Sequence, residues 1–107
     1  MVDVKNSKDF QVKLGKVGSK LVVIDFYAKW CPPCKQISPL LDRLELDYKS
    51  KAVVLKVDVD KCVEIANKYK ISAMPTFLFM KNEKIIGKFS GADPENLKNC
   101  FYKFTKV

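Results

Sequence analysis

No histidine occurs anywhere in the 107 residues of this chain. That absence removes histidine general bases, Cys–His and Ser–His nucleophile pairs, and imidazole metal ligands together. Glycine is scarce, at four residues, and no G-x-G-x-x-G or phosphate-cradling loop is present. A bound dinucleotide or nucleoside triphosphate is therefore not expected. Long apolar runs are missing too: Leu21–Ile24 is interrupted by Asp25, and no stretch is long enough to cross a bilayer. Met1-Val2-Asp3-Val4-Lys5 carries charges where a secretory leader needs an apolar core. Acidic residues are outnumbered, twelve against twenty basic ones, which leaves a formal charge of +8, and nineteen of the twenty are lysines. They are spread from Lys5 to Lys106, as solvated helix faces would be, and the net charge gives a general attraction to acidic partners. What is plentiful is apolar surface: 48% of the residues, enough to exclude disorder and build one core, so a single domain over 1–107 is expected.

Four cysteines without a leader point to redox or metal chemistry in a reducing compartment rather than to a disulfide scaffold. Two of them form Trp30-Cys31-Pro32-Pro33-Cys34-Lys35, directly after the strand-like run Leu21–Tyr27. Pro33 suits the first turn of a helix, where its missing N–H costs nothing. The C-x-x-C thus falls at a strand-to-helix junction, where unpaired N–H groups and the helix dipole favour a thiolate. Cys31, nearer the helix start and expected to be the more exposed, is the candidate nucleophile; Cys34 would resolve the mixed disulfide. The alternative is half of a zinc site, which would need Cys62 and Cys100 as the remaining ligands. A third reading is a binding module whose redox chemistry is incidental, gripping a partner around Trp30 and Pro75.

The remaining pattern alternates strands and helices. Val2–Val4 is a short strand, and Ser7 can cap a helix with Phe10, Leu14 and Val17 on one face, ended by Gly18. Leu21–Tyr27 is apolar at nearly every position, as a strand covered on both faces must be. A helix from Pro33 to Tyr48 turns Ile37, Leu40, Leu41 and Leu44 inward, with Pro39 breaking its bond to Lys35. Ala52–Val57 is a strand, and Cys62, Ile65, Ala66 and Tyr69 form the inner face of a short helix. Thr76–Met80 and Ile85–Phe89 read as a hairpin around Lys81-Asn82-Glu83-Lys84. Asp93-Pro94 starts a final helix that buries Leu97, Cys100, Phe101 and Phe104. This order implies an α/β fold, a mixed sheet between helix layers.

Asp25 is the conspicuous acid. Neither face of its strand reaches bulk water, so burial should raise its pKa. It is either a proton acceptor and donor for Cys34 or a carboxylate held by buried structural hydrogen bonds.

Four segments, in order, carry a resemblance. Asp25–Lys35, Lys56-Val57-Asp58-Val59-Asp60, Ala73-Met74-Pro75-Thr76-Phe77 and Phe89-Ser90-Gly91-Ala92 are similar to the fingerprints of the thioredoxin family. The animal cytosolic branch fits best, and within it the basic germline thioredoxins of insects. The resemblance implies a thioredoxin fold, a five-stranded mixed sheet flanked by four helices, and a protein disulfide reductase. It implies no bound cofactor and no metal: a reversible Cys31–Cys34 disulfide takes electrons from NADPH through a flavin-dependent thioredoxin reductase. Asp25 would assist proton transfer, with Lys56 as the family lysine near it, although a surface lysine is the alternative. Met74-Pro75 would be the family's cis-proline, and Trp30, Pro32, Pro33, Ala73, Met74, Pro75, Gly91 and Ala92 would contact substrate. Asp60 would hold the Trp30 indole N–H or, alternatively, cap a helix. Substrates would be disulfide-containing proteins, acidic or DNA-bound ones included given the charge, met by a monomer in the cytoplasm and also the nucleus, with no membrane partner. Pro32 departs from the family's usual glycine, removing a backbone N–H close to the Cys31 sulfur. Tyr69 and Ala73 stand where some animal relatives carry extra redox cysteines.

Overall fold

Leu21–Tyr27 sits at the centre of the sheet because both of its faces are covered. In the computed structural model, which describes residues 1–107, the elements are β1 (Val2–Asp3), α1 (Ser7–Lys16), β2 (Leu21–Tyr27), α2 (Pro32–Asp47), β3 (Ala52–Asp58), α3 (Val63–Lys68), β4 (Thr76–Lys81), β5 (Lys84–Ser90) and α4 (Pro94–Phe104). The five strands lie in the order β1-β3-β2-β4-β5. The β1–β3 and β3–β2 pairings are parallel, and β4 pairs antiparallel with both β2 and β5, giving a mixed sheet.

Strand periodicity divides the core in two. Val22, Ile24 and Phe26 of β2 point to one face, where Phe10 and Leu14 of α1 and Ile65 of α3 cover them. Leu21 and Val23 point to the other, against Ile37, Leu41 and Leu44 of α2 and Leu97 and Phe101 of α4. The same parity turns Asp25 and Tyr27 toward α2. In β3, Ala52 and Val54 share that face, and so, by alternation, does Lys56. Under the first turns of α2 the sheet is therefore polar where it is aliphatic elsewhere.

The helix ends show where local reading needs correction. Asn6, not Ser7, caps α1: its side chain accepts from Asp9 N at 2.8 Å, and Asp9 Oδ2 accepts in turn from Lys5 N at 2.8 Å. Gly18 follows α1 at φ +62, the left-handed geometry that suits a glycine after a helix. The second helix begins at Pro32 rather than Pro33, with Cys31 as its cap, and it continues through Pro39. Cys62 lies at the cap position of α3, not on its inner face, yet is buried. Cys100 and Phe104 are only half-buried, since α4 turns Leu97 and Phe101 more directly onto the sheet.

The β4–β5 turn places Asn82 and Glu83 both at positive φ, 51 and 62. Two such residues define the tight turn whose twist matches a hairpin, and asparagine tolerates the conformation where glutamate does not. Glu83→Gly is expected to raise the free energy of unfolding by roughly 0.5–1 kcal/mol, the left-handed penalty less glycine's extra chain entropy. Urea denaturation of the two proteins checks it; a loss of stability would contradict the strain.

Candidate active site

The strand β2 ends at Tyr27, and the chain turns through buried Ala28, whose carbonyl accepts from Cys31 N at 3.2 Å. Helix α2 then starts on two prolines, which supply none of the free N–H groups a helix start normally presents. The next two are used on the cap residue: Cys34 N donates to Cys31 Sγ at 3.2 Å and Lys35 N to Cys31 O at 3.3 Å. Cys31 and Cys34 are joined as a disulfide. The backbone donor at the sulfur is thus that of Cys34, and Pro32 takes its own N–H out of the same helix end.

The expected order of exposure is reversed: Cys31 is 3% exposed and Cys34 7%. Ala28, Met74, Val59 and Tyr27 pack around the pair, and Met74 and Val59 come from distant loops that no local reading places there. What sets Cys31 apart is its place at the cap of α2, with an N–H aimed at its sulfur, not greater solvent contact.

Asp25 lies behind the dithiol. It is 4% exposed, and its Oδ1 has no hydrogen-bond partner. Burial pushes its pKa up from the ordinary 3.8 to about 7, with Lys56 pulling the other way. The sheet register sets Asp25 beside Lys56, but the Lys56 ammonium sits over the Tyr27 ring, 4.3 Å from its centroid, instead of forming an ion pair. Asp25, Tyr27, Cys34, Lys35, Ser38 and Lys56 wall one cavity of about 260 Å³ between the sheet and α2. A carboxyl group whose pKa burial lifts toward neutrality thus lines the same solvent-connected cavity as Cys34.

Around the other side of the dithiol, Trp30 is 64% exposed, and its Nε1 donates to Asp60 Oδ2 at 2.8 Å. Asp60 is itself positioned by its N–H on Asp58 Oδ1 at 2.9 Å; the cap of α3 is Cys62. Met74-Pro75 is a cis peptide. Pro75 is buried, and its carbonyl accepts from Gly91 N at 2.8 Å, which ties the start of β4 to the end of β5. Thr76 Oγ1 donates to Ala73 O at 2.6 Å, bracing the exposed loop before it. Met74 packs against the dithiol. Ala92, by contrast, turns toward the α2/α4 core. Pro32, Pro33 and Ala73 are exposed.

The four cysteines do not converge. Cys62 Sγ donates to Val4 O at 3.4 Å in the α1/α3 core, while Cys100 lies on the opposite face, its thiol 3.6 Å from Asn96 Oδ1. Burial pushes both thiols up, away from the thiolate a metal or a redox partner would need. A zinc site shared by all four thiols does not fit this geometry. Tyr27 and Ser38 are cavity residues that the sequence reading passed over. The signals were there: Tyr27 has the strand parity of Asp25, and Ser38 follows Cys34 by one helical turn.

Residues 1–103 match the family model described as Thioredoxin. Thioredoxin-1 of Drosophila yakuba is 43% identical over 107 residues, 100% of both chains. The solved structure of the germline-specific thioredoxin Deadhead of Drosophila melanogaster superposes with a TM-score of 0.92 at 42% identity, covering 96% of this chain and 98% of that one. A chain solved for the thiol-resolving mechanism of yeast mitochondrial 1-Cys peroxiredoxin via glutathione/thioredoxin systems is 36% identical, with a TM-score of 0.86 over 96% of this chain and 94% of its own. The mixed sheet, the four helices and the Cys31–Cys34 pair are those of a thiol–disulfide oxidoreductase, and the chain belongs to the thioredoxin family.

Proposed function

We propose that the chain works as one domain, residues 1–107, and as a monomer that reduces protein disulfides. The Cys31 thiolate attacks a substrate disulfide and forms a mixed disulfide, releasing one substrate sulfur as a thiolate. Cys34 then loses its proton toward Asp25, and its sulfur attacks Cys31 Sγ. The Cys31–substrate bond breaks, the second substrate sulfur leaves as a thiolate, and the proton held by Asp25 returns to it through solvent. Two electrons have passed from the dithiol to the substrate. The observation that carries this reading is the single cavity that holds buried Asp25 and Cys34 together behind the cap of α2. Lys56, beside Asp25 in the sheet, keeps the carboxyl from rising further. Trp30, Pro32, Pro33, Ala73, Met74, Pro75 and Gly91 are the substrate-contacting surface of this reading, with Ala92, expected among them, packed instead toward the α2/α4 core, and Asp60 steadying the Trp30 ring.

Electrons return from NADPH through a thioredoxin reductase. Lys29 and Lys35 are exposed beside the dithiol and Lys70 precedes the Ser72–Pro75 loop, so the face offered to substrates is positive and favours acidic or DNA-bound proteins in the cytoplasm and nucleus. With NADPH, a thioredoxin reductase and an acidic protein disulfide, the chain is expected to consume NADPH catalytically. Lys29→Glu, Lys35→Glu should slow that substrate severalfold relative to a neutral one, the gap closing as salt is raised. No NADPH consumption would contradict the reductase role; an unchanged substrate ratio would contradict the electrostatic selection alone.

A further inference from the structure

Ser38 is the one hydroxyl on the helix side of the cavity that holds Asp25 and Cys34. It stands four residues after Cys34 in α2, so both side chains project from one helix face toward the polar patch of the sheet. A serine inside a helix commonly folds its hydroxyl back onto the carbonyl four residues earlier. Here it does not: Ser38 Oγ makes no hydrogen bond to any side chain or backbone group, and half-buried it remains free to donate and accept within the cavity. Opposite it, Asp25 Oδ1 is likewise without a partner. The other charged and titratable groups facing this space are Lys56 from β3, Tyr27 from β2, Lys29 from the turn after β2 and Lys35 from α2. None of the lysines can accept a proton from a thiol while charged, and none is in an ion pair with Asp25. A space of about 260 Å³ admits several water molecules.

We propose that Ser38 is a positioning residue for the resolving step: its hydroxyl orients the water that carries the Cys34 proton to Asp25. Water accepts the proton from Cys34 Sγ and gives one to an Asp25 carboxylate oxygen, while Ser38 Oγ holds that water in line and keeps its own proton. The new Cys34 thiolate then attacks Cys31 Sγ and the Cys31–substrate bond breaks, as in the mechanism above. The inference rests on the assignment of Asp25 as the acceptor.

The two half-reactions separate with an aromatic disulfide such as dithionitrobenzoate, whose thiolate absorbs visible light. Reduced protein releases the first thiolate when Cys31 attacks and the second when Cys34 resolves. Ser38→Thr and Ser38→Val have nearly the same shape and differ in the hydroxyl. The threonine variant is expected to release the second thiolate about tenfold faster than the valine variant near pH 7, the modest part of a general-base contribution that positioning supplies. The first release should be equal in both. The pH profile of the second release should keep its rise near pH 7 in the wild type and threonine variant and lose it in the valine variant. Equal second releases and profiles in the two variants would overturn the role of Ser38. If Asp25→Asn slows the second release in the same assay, the Asp25 reading survives that failure; if it too has no effect, both fall. A difference confined to the first release would likewise overturn the proposal, because it would place Ser38 at the Cys31 step.

Discussion

Cys31→Ser is expected to abolish reduction of protein disulfides, by at least about a thousandfold, because the hydroxyl of serine does not ionise where a thiolate does and forms no disulfide intermediate. The fold should not change. The serine oxygen can still accept the Cys34 N–H that now points at Cys31 Sγ, and serine is among the best residues at a helix cap. The variant therefore separates chemistry from architecture. Turnover of an insulin-like disulfide with dithiothreitol as electron donor is the assay, with circular dichroism confirming the helix content. A separate readout, biological activity, distinguishes this from a module that grips partners around Trp30 and Pro75 with its redox chemistry incidental. Such a module would keep its biological activity in a Cys31→Ser, Cys34→Ser protein, and a thiol–disulfide enzyme would lose it.

Asp25→Asn is expected to remove a pH dependence of stability and to slow the resolving step. In the folded chain the Asp25 pKa is held at about 7, against an ordinary 3.8, by burial. Between those two values the folded state binds more protons than the unfolded chain. Stability contributed by the protonated carboxyl is thus fully present below about pH 4 and is lost as pH rises through 7. At about 1.4 kcal/mol for each tenfold in acidity, the ionised group costs about 4 kcal/mol at pH 8. Asparagine is neutral throughout, so the difference between variant and wild-type stability should grow across that range in the variant's favour. Chemical denaturation of the oxidised proteins at a series of pH values measures it; parallel curves would contradict a carboxyl pKa raised by burial in the folded chain. The gain in stability is expected with a loss in rate, because the variant lacks the carboxylate proposed to accept the Cys34 proton.

The architecture was legible because strand and helix periodicities here are strong and rarely conflict. Leu21–Tyr27 declares itself a central strand, and its parity groups Asp25 with Leu21 and Val23, but that α2 covers this face is seen only in the fold. The errors lie where two neighbouring residues can do the same local job or where burial comes from far along the chain. Asn6 and Ser7 are both good caps, and the answering bond from the Lys5 N–H to the Asp9 carboxylate favours Asn6. Cys31 was expected to be the more exposed thiol because it precedes the helix, but Met74 and Val59 close over it. Cys62 and Cys100 looked equivalent as apolar helix positions, yet the sheet separates them onto opposite faces. Asp60 could cap a helix or hold an indole, and the choice depends on where Trp30 lands after the turn. Tyr27 and Ser38 stayed unremarked because a tyrosine at a strand end and a serine in a helix are ordinary until the cavity between them is seen.

The division of labour between the two thiols is tested most directly by trapping. Cys34→Ser, mixed in its reduced form with a protein disulfide, should accumulate a one-to-one covalent complex that dithiothreitol releases, and peptide mapping should place the substrate sulfur on Cys31. Cys31→Ser should trap little or none, since Cys34 lies within the first turn of α2 and its sulfur lacks the backbone N–H that Cys31 Sγ accepts at the helix cap. A complex formed equally well by Cys31→Ser, or mapped to Cys34 in the otherwise unaltered dithiol, would contradict the assignment of Cys31 as the attacking thiol.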